Sequence, residues 1–217
     1  LVILDDVWAP EAVNHLLMAP FPNHKGSRVL VTTRNDDVAH LVLPEKRITL
    51  ERLTKNGSWE LFCKTAFPRA KTYGCPSELT QLAAQIVNKC NGIPLAIVSV
   101  GRLLFVRDKN KKEFRRIHNQ LEWELINNPS LQHVRNILYL SYIYLPTNLK
   151  SCFLYCSLYP EDYLFKRKKL TRLWIAEGFI EKRGICTMEE VAEEYINELV
   201  QWNMLQLVER NSLGLLI

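Results

Sequence analysis

The sequence predicts a chain that is mostly α: a short parallel α/β segment, a helical region, and three helices closed by a hairpin. Three observations carry this expectation. Residues 1–50 alternate β-rich runs with a helix-like piece, the strand–helix–strand rhythm of a parallel sheet. From about residue 51 the apolar positions fall at helical spacing. Beyond Leu138 three helical stretches lead into a β-rich end, the plan of a winged helix.

Taken in order, LVIL (Leu1–Leu4) reads as a buried strand, and PEAVNHLL follows with Pro10 suited to a first helical turn. A Pro-rich loop spans Ala19 to Pro22, and GSRVLVTTR, opened by Gly26, is a second β-rich run. KRITLERL supplies a third candidate strand at Arg47 to Leu50. In SELTQLAAQIVNKCNG the apolar residues at 79, 82, 83, 86, 87 and 90 form one stripe, with Ser77 able to cap its start and Gly92 its end. Pro94 begins PLAIVSVGRLLF, and the charged run DKNKKEFRRIHNQ reads as a solvated loop and helix face. LKSCFLYCSLYP is an aromatic helix stopped at Pro160, and KKLTRLWIAEGF a short amphipathic one ending at Gly178. TMEEVAEEYINELVQW opens with a capping box, Thr187 with Glu190, and aligns Val191, Tyr195, Leu199 and Trp202. LQLVERNSLGLLI reads as a hairpin that is cut short.

Composition sets outer limits. Among 217 residues, 47% are apolar and 24% charged, which leaves room for a core in a soluble protein. The net charge of +5 is too mild to argue by itself for nucleic acid. Six cysteines without a CxxC pair speak against structural zinc and for reduced thiols in a cytoplasmic setting. No apolar run reaches the ~18 residues of a membrane span. The start at Leu1, without Met, points to a fragment.

Two strand ends carry the chemistry. Ligands of an open α/β sheet bind beyond the carboxyl ends of its strands, where Asp5 and Asp6 fall. One carboxylate there can hold Mg²⁺ and the other orient an attacking water; the plain alternative is a strand turning into solvated loop. The second run ends at Thr32, Thr33 and Arg34, where a guanidinium could meet a terminal phosphate. Its alternative is a salt bridge to Asp36, Asp37 or the Asp pair itself. A third element, CNGIPLAI, joins two helices and could press Pro94 and Leu95 against a flat base, or be a connection only.

Together and in this order, these residues resemble the NB-ARC nucleotide-binding module of plant disease-resistance proteins, the NLR immune receptors, within the STAND class of ATPases. LVILDDVW resembles the kinase-2 (Walker B) motif, its Trp8 typical of the non-TIR, coiled-coil type. GSRVLVTTR is similar to the motif ending in the sensor arginine. LTKNGSWELFCKTAF resembles the next block, although Gly57 is a poor helix former. CNGIPLAI resembles the GLPLA motif, with Ile93 in the leucine position. LKSCFLYCSLYPEDYLFKRKKLTRLWIAEGFI is similar to the winged-helix signature.

The resemblance implies a truncated parallel P-loop NTPase sheet over 1–50, a helical domain over 51–135 and a winged-helix domain over 136–217. It implies ADP or ATP with Mg²⁺ as ligands. Asp5 would then hold the metal and Asp6 act as the catalytic or water-positioning acid. Thr33 and Arg34 would lie at the phosphates, and Pro94 and Leu95 near the adenine. It also implies coiled-coil and leucine-rich-repeat partners within the parent, an oligomer on activation, and at most a slow ATPase activity there. No glycine of the chain is followed by lysine, so the phosphate-cradling GxxxxGK[ST] loop is absent from these 217 residues, and no MHD-like triad is present. The chain alone is therefore expected to bind nucleotide poorly and to be inactive. Two other readings stand beside this one. One is a nucleic-acid-binding winged helix resting on Lys166, Arg167, Lys168, Lys169 and Arg172, disfavoured by the narrow polar face that Leu170, Leu173 and Trp174 leave. The other is an inactive truncated product.

Overall fold

Val2–Leu4 forms β1 and Val29–Val31 forms β2, two β-branched runs of the kind that favours extended backbone. They pair in parallel with Val2 opposite Val29 and Leu4 opposite Val31. This and all that follows comes from a computed structural model, which describes residues 1–18, 28–41, 43–68, 74–127, 133–160, 163–209 and 215–216. The expected loop at Ala19–Pro22 and Gly26 lie outside the described residues. The chain separates into two compact units, Leu1–Glu51 and Arg52–Ile217.

In the first unit, α1 (Pro10–Met18) follows β1, and α2 (Asp36–Ala39) follows β2. Asn35 caps α2, its side-chain oxygen accepting from the Asp37 N–H at 2.9 Å. Val13 on α1 and Val38 on α2 are buried. The expectation of a buried strand at Leu1–Leu4 needs correction. Val2 and Leu4 are half-buried, whereas Ile3 is 58% exposed, because alternate side chains of a strand leave opposite faces and one face of this ribbon is open. The strand expected at Arg47–Leu50 does not form. Ile48 and Leu50 are exposed, and no described strand pairs with that segment; strand-like composition alone does not supply the pairing that makes a strand.

The second unit begins with α3 (Lys55–Ala66), capped by Thr54, whose hydroxyl accepts from the Gly57 N–H at 3.1 Å. Gly57 thus sits in the first turn under the cap. α4 (Thr80–Lys89) starts later than Ser77 would have it: Leu79 is its N-cap and no side chain bonds there. The Thr80 hydroxyl donates instead to the Pro76 carbonyl, an i−4 bond that leaves Ser77 in the preceding turn. Asn91 (φ 51°) and Gly92 (φ 71°) end α4 in the left-handed region, where glycine has no steric penalty. Gly92 accepts from the Leu53 N–H at 2.8 Å, and a Cβ on it would lie 2.6 Å from the Leu53 carbonyl oxygen.

Pro94 then opens α5 (Pro94–Phe105) at its first position. α5 packs on α3 so closely that a Cβ on Gly101 would lie 2.8 Å from the Thr65 Cβ. The charged run read as a solvated loop and helix face supplies most of its residues to α6 (Lys111–Asn127). Phe114, Ile117 and Leu121 on one face are fully buried, and the charges take the other, as helical spacing allows. α7 (His133–Ile143) starts before Leu138, and the limit expected at residue 135 falls within it. α8 (Thr147–Cys156) ends in a turn ahead of Pro160.

The β-rich end folds as expected from the pattern. β3 (Phe165–Lys166) leads into α9 (Arg167–Ala176), then α10 (Met188–Gln201), β4 (Leu207–Glu209) and β5 (Leu215–Leu216). β5 lies between β3 and β4, antiparallel to both: three helices and a wing. Both halves of the capping box form, the Glu190 N–H donating to Thr187 at 3.2 Å and the Thr187 N–H to the Glu190 carboxylate at 2.8 Å. Val191, Tyr195, Leu199 and Trp202 are buried together as the spacing predicts. Between the helices, Arg167 donates twice to Glu193, at 2.9 and 2.7 Å, and to Asn197 at 2.7 Å. All six cysteines are free thiols. Burial pushes Cys90 and Cys152 up to about 12 and Cys75 and Cys156 up to about 11. These four remain protonated packing groups rather than nucleophiles.

Candidate functional site

Past Leu4 and Val31 the two strands stay coupled. The Thr32 N–H donates to Leu4 and the Val7 N–H to Thr32, both at 2.9 Å. This carries Asp5, Asp6 and Trp8 alongside Thr32, Thr33 and Arg34 at the carboxyl edge of the ribbon. Asp6 turns into the left-handed region at φ 50°, a conformation aspartate tolerates better than most residues.

The Thr32 hydroxyl links both acids: it donates to the Asp5 carboxylate and accepts from the Asp6 N–H at 2.8 Å. The second Asp5 oxygen takes part in no hydrogen bond among the described residues. Arg34 meets Asp6 with its fork, Nε to one oxygen at 3.1 Å and Nη2 to the other at 2.8 Å. Of the acids named as ion-pair partners for Arg34, Asp36, Asp37 or the Asp pair itself, the structure shows Asp6. Those hydrogen bonds hold the Asp6 carboxyl below its ordinary range. Partial loss of water opposes them, and the indole N–H of Trp8 adds to them. The pair is open to solvent, with side chains 60% and 37% exposed, so it contributes little to stability.

Thr33 works differently from its neighbour. Its hydroxyl donates to the Val7 carbonyl at 2.6 Å and accepts from the Asn35 N–H at 2.9 Å, tying the strand ends together. Three residues of the site lie outside the sequence-based set. Thr32 braces both acids. Trp8 donates to Asp6 at 3.1 Å and carries the Arg34 guanidinium 4.3 Å from its ring centre. Asn35 holds the Trp8 carbonyl at 2.9 Å. Adjacent threonines on an extended chain face opposite ways, which is the signal that would have separated Thr32 from Thr33. Pro94 and Leu95 belong to the other unit; both are exposed at the start of α5.

The arrangement can offer one carboxylate oxygen to a hard cation and a paired guanidinium to an anion. Among the described residues no group of three or more His, Cys, Asp or Glu side chains could hold a metal alone.

Two family descriptions match the chain: NB-ARC domain over residues 1–72, and disease resistance protein winged helix domain over residues 158–214. Similar curated proteins come from Arabidopsis thaliana. The disease resistance protein RPM1 is 41% identical over 99% of this chain and 23% of its own length. The disease resistance protein RPP13 is 39% identical over 97% of this chain and 25% of its length. The disease resistance RPP13-like protein 4 is 36% identical over all of this chain and 26% of its length. The chain therefore spans about a quarter of these relatives.

Proposed function

The chain belongs to the NB-ARC family of plant disease-resistance proteins, and from that premise we propose that it is part of an ADP- and ATP-binding switch of an immune receptor acting in defence against pathogens. NB-ARC domains bind nucleotides in general; the choice of ADP and ATP, with Mg²⁺, is our reading. One observation supports it most: two parallel strands bring an acidic pair and an arginine to one edge, braced by Thr32.

The donor set suits Mg²⁺. Asp5 keeps an oxygen outside its bond to Thr32, and the rest of the shell would come from water and phosphate oxygens, the usual mode for this ion. When bound, the ion would neutralise phosphate charge. Asp6 would position water and Arg34 would lie at the phosphates, while Thr33, expected there too, is engaged by Val7 and Asn35 and would support the strand end instead. Pro94 with Leu95 would pack near the adenine. We place the α/β segment at 1–50 and the helical domain from 51 through α7, past the limit expected at 135, with the winged helix beyond it to 217. In the whole receptor we expect a cytoplasmic switch with coiled-coil and leucine-rich-repeat domains, an oligomer on activation, and a slow ATPase at most. No described helix is long and apolar enough to cross a membrane.

A winged helix can also serve nucleic acid, but charge opposes that here. The helix entering the wing is α10, not the basic α9, and its sequence MEEVAEEYINELVQ carries five glutamates and no Lys or Arg. A helix in the groove presents basic and polar groups to phosphates.

The test is titration of the ¹⁵N-labelled chain with Mg-ADP. Without a Gly-Lys phosphate loop the Kd should be weaker than about 1 mM, or ~4 kcal/mol. Shifts should centre on Asp5, Asp6, Thr32 and Arg34. Micromolar binding by calorimetry would refute the expected weakness, and shifts that avoid those residues would overturn the site.

A further inference from the structure

Trp8 is 58% exposed, so burial does not explain a tryptophan at this place. Both of its interacting features are spent on one ion pair. Its indole N–H donates to the Asp6 oxygen that also receives Arg34 Nη2, and its ring lies under the Arg34 guanidinium at 4.3 Å. The backbone beneath is fixed on both sides, by Asn35 on the Trp8 carbonyl at 2.9 Å and by Thr32 on the Asp6 N–H at 2.8 Å. Asp6, Arg34 and Trp8 form a closed triangle in which each member touches the other two.

We propose that Trp8 is a positioning residue that holds Arg34 on Asp6 and so sets how readily the guanidinium is given up to an incoming phosphate. The identity of that anion rests on the nucleotide reading above. The Nε–Nη2 edge of Arg34 is one of the two forks that a guanidinium offers to carboxylate or phosphate, and Asp6 occupies it. A phosphate can take that edge only by displacing Asp6, and the ring contact with Trp8 favours the closed arrangement. The triangle therefore acts as an internal competitor for the anion.

The experiment compares the whole chain with Trp8→Ala and Trp8→Phe by ¹⁵N NMR of the Arg34 Nε–H, with inorganic pyrophosphate as the probe. Protected backbone amides of Val7 and Thr32 report that the ribbon is intact in each variant. In Trp8→Ala the Arg34 Nε–H should exchange roughly two- to fivefold faster, the size of an exposed cation–π contact. Trp8→Phe, which keeps a ring but no donor, should recover part of the protection. Pyrophosphate should bind Trp8→Ala tighter by a similar roughly two- to fivefold factor. Unchanged exchange in Trp8→Ala would overturn the proposal, and so would equal pyrophosphate affinities. If pyrophosphate binds neither protein, the competition for the anion is overturned while the nucleotide reading, which expects weak binding without a phosphate loop, stands; the exchange rates then decide whether Trp8 holds the arginine.

Discussion

Gly92 and Gly178 allow one energetic term to be isolated. Their φ angles nearly coincide, at 71° and 73°, so alanine at either place meets the same left-handed penalty, ~1–2 kcal/mol. Each variant also stiffens the unfolded chain, which offsets about 0.4–1 kcal/mol at both sites. The surroundings differ. A Cβ on Gly178 meets nothing within 4 Å, whereas one on Gly92 would lie 2.6 Å from the Leu53 carbonyl oxygen and 3.0 Å from the Arg52 Cβ. Backbone has to move to relieve that clash, at ~1–3 kcal/mol for overpacking. The Leu53–Gly92 hydrogen bond adds roughly 0.5–1.5 kcal/mol if it is lost. Gly178→Ala should therefore cost about 1 kcal/mol, and Gly92→Ala should cost about 1–4 kcal/mol more. Urea unfolding at a constant slope gives both values from their midpoints. Both glycines lie in the same unit, which makes the comparison direct. Equal costs would refute the claim that close approach to Leu53, rather than φ alone, requires glycine at residue 92.

Gly57→Ala should stabilise the second unit by about 0.5–1 kcal/mol, since the nearest atom to an added Cβ is the Thr54 hydroxyl at an ordinary 3.4 Å; thermal unfolding checks this. Thr187→Ala should cost about 1 kcal/mol through loss of the cap on α10. Bonds from Thr187 hold the Glu190 carboxyl below its usual value. Its contribution is therefore present above the unfolded-state value of about 4.3 and is lost as pH falls through the lower folded-state value. The bond from the Thr187 N–H, the larger cause, survives in Thr187→Ala and the part from the hydroxyl goes. This acid-dependent loss should therefore shrink only in part, read as the difference between unfolding midpoints at neutral and acid pH.

How much was legible depended on whether a feature was local. The capping box at Thr187 and Glu190 and the buried face from Val191 to Trp202 could be read because each needs only positions on one helix. Ser77 misled because a hydroxyl near a helix start is only one candidate, and the turn from Pro76 to Leu79 put the first helical residue at Thr80. Arg47–Leu50 has strand-like composition, but pairing is decided by a distant edge. At the candidate site, the placement of Asp5, Asp6 and Arg34 on one edge could be anticipated from strand ends. The choice of Asp6 over Asp36 or Asp37 as the partner of Arg34, and the part taken by Trp8, could not. They follow from the left-handed turn at Asp6, which no composition signal marks.

The ribbon of β1 and β2 has a further consequence for binding at that edge. Two strands with few covering side chains are marginal on their own, and among the described residues of that unit the buried apolar side chains are Val13 and Val38. We expect such a segment to open at low free energy. On the proposed function, anions would meet the Asp5–Arg34 edge only in molecules where the ribbon is closed. A measured affinity is then the intrinsic one weakened by the closed fraction, and mutations at Val13 or Val38 would change nucleotide affinity without touching the nucleotide.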